Sequence, residues 1–387
     1  MTTLGAQIGT DGRIKEGLAL VDASGTVNVN NGTYSEWVDI NKASVTLKAV
    51  SNWGPTIEGY APTGETVRFT ADNVTLQGFQ INNQRASNPD GRAVAPRGTT
   101  GGAIKNNIFL NAFRGIQGQF YGEPKSLTIT DNVFQPSVSY GVASTEGMSI
   151  AKITGNVFFT TVEGIGLGAG VSIAEPGSAL DSQGIFTMLN SQTFTLATGY
   201  ALKDYRDNTI YVKSGGPLQA AINGATAGDK VKVSAGTYAT NLNITKQISL
   251  LGSNSGIAAG YNGGVRGPET IVNGAIDLTS TADGTVIDGF TITGGTQNGG
   301  GHHGVRVNGG ANSVSVVNNI LTGNGVLSNT QGVEVGSGGI TGMVVRDNEI
   351  SAFASGVYVN SGGVVEVLGN KIHNVFAGVG NDSNTLT

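Results

Sequence analysis

Apolar residues along this chain follow short alternating runs that are separated by polar and glycine-rich corners. Runs such as Thr26-Val27-Asn28-Val29 and Lys230-Val231-Lys232-Val233 place an apolar residue at every second position, which is typical of strands with one buried face. Two stretches have helical spacing instead, with apolar faces formed by Ile14, Leu18 and Val21 and by Leu218, Ala221 and Ile222. The pattern predicts short strands throughout and two short amphipathic helices, over about residues 12–22 and 216–225.

A long internal repeat divides the chain into two similar parts. Gly32-Thr33-Tyr34 returns as Gly236-Thr237-Tyr238, 204 residues later, and Leu76-Gln77-Gly78-Phe79 returns as Ile287-Asp288-Gly289-Phe290, 211 residues later. The larger offset means that the second copy has gained residues, and the glycine-rich stretch 252–267 is the expected place. We therefore predict two tandem modules, residues 1–205 and 206–387, each opened by a short capping helix.

A shorter period runs inside each part and is marked by asparagine. The marked positions are Asn107, Asn132 and Asn156 and then Asn319, Asn348 and Asn370, in steps of 22 to 29 residues. Each lies between two short apolar runs, where a sharp corner favours a residue that tolerates left-handed backbone angles. Strands of three to five residues at this period predict the coils of a parallel β-helix, with the asparagines stacked in a hydrogen-bonded ladder. The Leu-x-x-Leu-x-Leu frame of leucine-rich repeats is absent.

The composition excludes several classes of function but does not indicate a particular one. Of 387 residues 62 are glycine and none is cysteine, so disulfide scaffolds, thiolate zinc sites and cysteine nucleophiles are excluded. The net charge of −5 gives no basic footprint for nucleic acid, and no apolar stretch is long enough to span a membrane. We expect neither a nucleic-acid partner nor membrane insertion.

The order of these motifs resembles the right-handed parallel β-helix of the pectate-lyase-like superfamily. In this sequence an amphipathic helix is followed by Val-x-Val, Gly-Thr-Tyr, Gly-Phe-x-Ile and then coils that carry asparagine. The resemblance implies an all-β solenoid whose leading helices cover the open end of the core. The enzymes of that superfamily carry catalytic motifs that this chain lacks: Gly301-His302-His303-Gly304 is only similar to their Gly-His-Gly segment, and Arg92 and Arg97 stand at the wrong spacing for Arg-x-Pro-x-x-Arg. No catalytic residue is predicted, and an enzyme acting on acidic polysaccharide remains the alternative.

Two groups of residues are candidates for binding a glycan. The first lies in a stretch, residues 82–100, that we expect to be an irregular loop, and comprises Arg85, Asp90, Arg92 and Arg97. Arginines in such a loop could grip carboxylates or sulfates through paired hydrogen bonds, although a solvated loop explains them as well. The second group falls on corresponding points of successive coils and comprises His302, His303, Arg306, Glu334 and Tyr358. Alternation predicts that the last three point outward in one column, as a sugar-binding strip or as a surface ion pair.

No cofactor or metal is predicted, with Ca²⁺ as the one open option. Calcium-binding motifs are absent, and only isolated loop aspartates, Asp72, Asp90, Asp283 and Asp382, could contribute oxygen ligands. The sequence as a whole favours a non-catalytic structural or adhesive β-helix, located outside the cell or at its surface. Its expected partners are polysaccharide or further copies of itself, end to end. Residues 377–387 begin a coil without a visible cap, so we expect a longer protein or a stacking partner.

Overall fold

The computed structural model describes residues 13–118, 122, 124–143, 146–176, 180–196, 198–239, 241–261, 263–296, 302–325, 329–336, 339–360 and 363–381. Within them the chain is an all-β right-handed parallel β-solenoid of about 13 turns. It divides into two compact units, Met1–Asp207 and Asn208–Thr387. No described helix is both long and apolar enough to cross a membrane. The organisation as two tandem modules, with its boundary near residue 205, stays a prediction.

Unit 1 begins with a helix and continues in short strands. Its elements are α1 (Arg13–Leu20), β1 (Thr26–Val29), β2 (Gly32–Ser35), β3 (Val38–Ile40), β4 (Thr46–Ala49), β5 (Pro55–Glu58), β6 (Glu65–Phe69), β7 (Thr75–Gln77), β8 (Gln80–Arg85), β9 (Arg92–Pro96), β10 (Ala103–Lys105), β11 (Ile108–Ala112), β12 (Arg114–Ile116), β13 (Leu127–Thr130), β14 (Val133–Phe134), β15 (Tyr140–Val142), β16 (Ser149–Thr154), β17 (Val157–Phe158), β18 (Glu163–Leu167), β19 (Ser172–Glu175), α2 (Ser182–Asn190), β20 (Thr193–Phe194) and β21 (Tyr200–Asp204).

Unit 2 begins with a strand, which is followed by a helix and further short strands. Its elements are β22 (Thr209–Val212), α3 (Leu218–Gly224), β23 (Lys230–Val233), β24 (Gly236–Tyr238), β25 (Leu242–Ile244), β26 (Ser249–Leu251), β27 (Thr270–Val272), β28 (Ile276–Leu278), β29 (Val286–Asp288), β30 (Thr291–Ile292), β31 (Gly295–Thr296), β32 (His302–Val307), β33 (Ser315–Val317), β34 (Ile320–Thr322), β35 (Thr330–Val335), β36 (Met343–Arg346), β37 (Glu349–Ser351), β38 (Ser355–Val359), β39 (Val365–Leu368), β40 (Lys371–His373) and β41 (Ala377–Asn381).

Strand order shows that each turn of the solenoid has three sides. In unit 1 each strand from β1 to β18 pairs in parallel with the strand three places further along the chain, which gives sheet A (from β1 to β19), sheet B (from β2 to β20) and sheet C (from β3 to β21). Unit 2 has the corresponding faces, and β32, β35, β38 and β41 are consecutive strands on one of them. Since parallel neighbours lie about 4.8 Å apart, residues at one register position form a column along the solenoid.

The predicted asparagine ladder is present in both units. In unit 1 the Oδ1 atom of Asn132 accepts hydrogen bonds from the backbone N of Asn107 at 3.0 Å and from Asn107 Nδ2 at 3.1 Å. The Oδ1 atom of Asn156 likewise accepts from the backbone N and Nδ2 of Asn132, at 3.0 Å each. Gln192 ends the series, an extension that the sequence period did not reveal. In unit 2 Asn319, Asn348 and Asn370 repeat the contacts.

The prediction that these asparagines themselves occupy left-handed corners is wrong. The left-handed corner residue is the one before each ladder position, for example Asn106 at φ 54° and Asp131 at φ 57°. The ladder residues themselves are buried; Asn107, Asn132 and Asn156 have no exposed surface. Asparagine is therefore used there for its amide, which pairs buried backbone groups of adjacent turns.

The core of unit 1 contains a column of stacked phenylalanine rings. Phe109, Phe134, Phe158 and Phe194 follow one another on sheet B with ring centroids 4.6, 4.7 and 5.0 Å apart. Glycine on sheet C makes room for this column. At Gly115 and Gly141 a Cβ would lie within 2.6 Å of the Phe134 and Phe158 rings, respectively. Gly115 and Gly141 thus belong to the core, and the residues before them, Arg114 and Tyr140, are partly exposed.

Both predicted helices are present and bury their apolar faces. Ile14 and Leu18 in α1, and Leu218, Ala221 and Ile222 in α3, are buried. Helix α1 is held at its first turn by Glu36, whose carboxylate accepts from the backbone N of Ile14 at 2.9 Å and of Lys15 at 3.3 Å. The glycine-rich stretch 252–267 is a loop, as expected, between β26 and β27.

Candidate functional site

A column of polar side chains lies on sheet C of unit 1, one from each turn. The register pairs Arg92 with Arg114, Arg114 with Tyr140, Tyr140 with Glu163, and Glu163 with Tyr200. Each of the three central residues precedes a core glycine, in Arg114-Gly115-Ile116, Tyr140-Gly141-Val142 and Glu163-Gly164-Ile165. The same backbone geometry therefore presents an arginine, a tyrosine and a glutamate on successive turns.

These side chains surround a pocket of about 320 Å³. This is the size at which pockets begin to enclose small ligands. The pocket, which we call the sheet C pocket, is lined by Arg114, Tyr140, Ala143, Glu146, Glu163, Gly168 and Tyr205. The pocket therefore offers hydrogen-bond donors and acceptors together with aromatic surface, from one arginine, two tyrosines and two glutamates.

Glu163 is the most perturbed titratable group of the pocket. It is 1% exposed, and its Oε2 accepts a hydrogen bond from Tyr205 Oη at 2.6 Å. Burial raises the pKa of Glu163 from 4.5 to about 7, although the hydrogen bond from Tyr205 and the charge of Lys203 act in the opposite direction. A substantial fraction of Glu163 therefore carries a proton at neutral pH.

Arg114 supplies the positive charge of the pocket. Its guanidinium donates to the carbonyl of Pro89 and stacks near Phe113 at 5.0 Å, and among the described residues it has no carboxylate within 4 Å. Burial lowers the pKa of Arg114, and the neighbouring charge of Arg92 lowers it further. Burial likewise raises the pKa of Tyr140, to which the charge of Glu163 adds. Arg114 thus forms no ion pair within the described part of the chain, although the charges of Asp90 and Glu163 act on its pKa in the opposite direction.

The first predicted glycan group lies in a different arrangement from the one expected. Residues 82–100 are not irregular throughout: β8 extends to Arg85, and β9 runs from Arg92 to Pro96 because it pairs in parallel with β6 and β12. Only the stretches 86–91 and 97–100 are turns and loop. Arg97 forms an ion pair with the buried Glu65, and Arg92 Nη1 lies 3.8 Å from the same carboxylate. Burial alone would raise the pKa of Glu65, but hydrogen bonds from Thr63 and Arg97 hold it below its usual value.

Of the other two residues of that group, Arg85 is separate from this ion pair and Asp90 lies beside Arg92. Arg85 stacks its guanidinium over the Tyr60 ring at 4.6 Å. Asp90 is exposed, and its carboxylate lies 3.9 Å from Arg92 Nη2. Arg92 also donates from Nε to Gln117 at 2.8 Å. The cationic groups at 92 and 97 are thus engaged in internal contacts, and their role in glycan binding stays a prediction.

The second predicted group forms the expected column in unit 2. Arg306 pairs with Glu334 and Glu334 with Tyr358 in register, and Arg306 Nε lies 3.4 Å from Glu334 Oε2. His303 is fully buried, with Nε2 2.7 Å from Asp277 Oδ1 and Nδ1 3.9 Å from Glu334.

His302 and Asp277 lie on the same sheet of unit 2 as this column. The ring of His302 lies 6.2 Å from that of Phe353. Asp277, which sequence reasoning missed, shares the register column with Arg306, so alternation along β28 could have indicated it. The charged groups here contact one another, which fits the ion-pair interpretation. A sugar-binding strip at this column stays a prediction.

Metal binding finds little support in the described part of the chain. No group of three or more His, Asp or Glu side chains there could hold a metal ion. Asp72 and Asp283 accept backbone hydrogen bonds from Thr100 and Asn312 on the next turn, at 2.7 Å each, and Asp382 lies outside the described residues. The expectation of no cofactor, with Ca²⁺ as the open option, stays a prediction.

Comparison with known proteins yields a fold likeness and no family. No protein-family model and no curated protein matches this chain. Among solved structures it is similar to PfbA, a surface adhesin of Streptococcus pneumoniae, with TM-score 0.31, 12% identity, and coverage of 96% of this chain and 89% of that one. It is also similar to the Siphovirus 9NA tailspike receptor-binding domain, with TM-score 0.29, 9% identity, and coverage of 97% and 75%. At this level of similarity neither match indicates what this chain binds.

Proposed function

We propose that this chain is an adhesive β-helix displayed outside the cell, and that it binds an acidic saccharide in the sheet C pocket. The observation that carries the proposal is the placement of Arg114, Tyr140 and Glu163 on three successive turns around one open pocket. Rigid strands fix these side chains, so the pocket exists before a ligand arrives, which lowers the entropic cost of binding.

Each side chain has a defined task in this proposal. Arg114 pairs with a sugar carboxylate through two parallel hydrogen bonds, the strongest contact that a guanidinium makes. The rings of Tyr140 and Tyr205 offer flat, partly apolar surface to a pyranose face. The protonated fraction of Glu163 can donate a hydrogen bond to the sugar and carries no negative charge that would repel an anionic ligand. Acidic sugars are favoured over neutral ones because only their carboxylates can form an ion pair with Arg114.

Binding to a glycan array tests this proposal. We expect wild-type protein to bind carboxylate-bearing glycans, and Arg114→Ala to lose at least tenfold in affinity, since charged hydrogen bonds contribute about 1.5–3 kcal/mol. The matched control is Arg346→Ala in unit 2, whose side chain is 54% exposed and lies 3.6 Å from Asp347. A blank array, or equal binding by wild type and Arg114→Ala, would overturn the proposal.

The remaining expectations about organisation and location are proposals of the same kind. The equivalent capping helices α1 and α3, and the ladders in both units, support two tandem copies of one module. The absence of cysteine and the low charge content suit a protein that persists outside the cell by stacking of its turns. End-to-end association with further copies can be tested by analytical ultracentrifugation, in which a monomer at all concentrations would contradict it.

A further inference from the structure

Glu163 is a buried carboxyl group of the sheet C pocket that has no ion-pair partner. The residue is 1% exposed, and Oε2 accepts a hydrogen bond from Tyr205 Oη at 2.6 Å. The other oxygen lies against Gly166, where a Cβ would collide with Glu163 Oε1. Among the described residues no basic nitrogen lies within 4 Å of this carboxyl. Its ionised form is therefore costly, because burial removes water and no ion pair replaces it.

The groups around this carboxyl come from several elements of unit 1. Those that are titratable or charged are Arg114 on β12, Tyr140 on β15, Tyr200 and Lys203 on β21, Tyr205 after β21, and Glu146 on the turn before β16. Burial is the largest influence on Glu163 and disfavours its ionised form, whereas the charges of Lys203 and Arg114 favour it. Glu146 is exposed, so solvent screens its charge.

Arg114 links Glu163 to the bound ligand. Its guanidinium is the proposed partner of the sugar carboxylate, and in the free protein the charge of Glu163 acts on the same guanidinium. A ligand carboxylate that pairs with Arg114 cancels a charge that favours ionised Glu163. It also adds a like charge two turns away, about 10 Å from Glu163, which in a partly buried site changes an equilibrium by about tenfold. The bound ligand and ionised Glu163 therefore disfavour each other.

We propose that the sheet C pocket couples the binding of an acidic saccharide to the uptake of a proton by Glu163. This inference rests on the proposed function, because it requires the ligand carboxylate at Arg114. The proton comes from solvent and stays on the Glu163 carboxyl group while the ligand is bound. Because such coupling is reciprocal, a rise in pH that removes the proton weakens binding by the same factor. The pocket thus captures acidic saccharide at mildly acidic and neutral pH and releases it in alkaline surroundings.

The pH range of the coupling follows from the free protein. Burial, opposed by the hydrogen bond from Tyr205 and the charge of Lys203, raises the pKa of Glu163 to about 7, and the bound ligand raises it further. Below this value the proton is already present, whereas above it binding requires uptake. We expect the affinity to fall at least about tenfold between about pH 6 and about pH 9. Near pH 7.5 the uptake should lie between about 0.5 and 1 proton per ligand.

Isothermal titration calorimetry measures both the affinity and the proton uptake. Oligomers of polygalacturonate, alginate and hyaluronan serve as probes, and a probe that binds is titrated in phosphate and in Tris, whose different heats of ionisation report the protons taken from the buffer. We expect uptake in the wild type. Glu163→Gln, whose amide is neutral at every pH, should show no uptake and an affinity independent of pH. The matched control is Glu175→Gln, which removes an exposed carboxylate 3.2 Å from Lys152 and should keep the wild-type uptake.

The outcomes separate the two proposals. A probe that binds without proton uptake, with equal affinity at about pH 6 and about pH 9, overturns the coupling and leaves the binding function intact. No binding to any probe overturns both. Uptake that disappears in Glu146→Gln and persists in Glu163→Gln would assign the proton to Glu146 and would also overturn the inference. The wild-type titrations and the exposed substitution at Glu146 decide the matter even where the buried substitution at Glu163 impairs folding.

Discussion

Replacement of Asn132 by alanine tests the asparagine ladder as a source of stability. The Asn132 amide accepts from the backbone N and from Nδ2 of Asn107 and donates to the carbonyl of Ile104 at 2.9 Å. Alanine leaves the backbone N of Asn107 without a partner and removes one hydrogen bond each from the Ile104 carbonyl and from Asn107 Nδ2, which keeps its bond to the Leu76 carbonyl. Asn107 and Ile104 have no exposed surface, so water does not replace these contacts. An orphaned buried group costs about 1–3 kcal/mol and each lost hydrogen bond about 0.5–1.5 kcal/mol, so we expect Asn132→Ala to lower the free energy of unfolding by about 2–6 kcal/mol.

Urea unfolding followed by circular dichroism measures this loss from the shift of the midpoint at constant slope. The matched control is Asn243→Ala, which removes an exposed asparagine side chain from β25 and should change stability by less than about 0.5 kcal/mol. A loss below about 1 kcal/mol in Asn132→Ala, similar to the control, would refute the reasoning, since the ladder would then be replaceable by water.

Two further predictions concern the sheet C pocket and the core beneath it. Native Glu163 keeps its proton up to a pKa of about 7, against 4.5 when unfolded. Between these two pH values the native state therefore binds more protons than the unfolded state, so the free energy of unfolding falls as the pH rises from about 4.5 to about 7. Glu163→Gln should flatten this part of the curve of unfolding free energy against pH. In Gly141→Ala the new Cβ would lie 2.6 Å from the Phe158 ring, so we expect a loss of about 1–3 kcal/mol in urea unfolding.

Controls for these variants follow from the same geometry. Gly378 occupies the equivalent X-Gly-Val position in β41, and nothing lies within 4 Å of a Cβ built there, so Gly378→Ala should be neutral. Equal losses in both glycine variants would mean that backbone effects, and not the phenylalanine column, account for the change. An unchanged pH dependence in Glu163→Gln would show that other groups bind the extra protons.

The repeat pattern predicted the scaffold because each turn obeys the same local rules. Alternation located β1 and β23, helical spacing located α1 and α3, and the period of asparagine located the ladder. The column of Arg306, Glu334 and Tyr358 was also predicted, since one motif, Gly-Val-x-Val, sets its register.

The sheet C pocket could not be predicted in the same way. Its central residues vary in type from turn to turn, and their only shared signal is the glycine that follows each of Arg114, Tyr140 and Glu163. Tyr205 reaches Glu163 from 42 positions away, across the insertion that contains α2. Burial of Glu163 and the room above Gly166 depend on that packing, which no local pattern records.

A crystal structure of the protein with the glycan that binds most tightly on the array tests the central claim most directly. The account predicts a sugar ring between Tyr140 and Tyr205, with its carboxylate about 3 Å from the Arg114 guanidinium. A sugar bound instead beside Arg85 in unit 1 or over Tyr358 in unit 2, with the sheet C pocket empty, would contradict it.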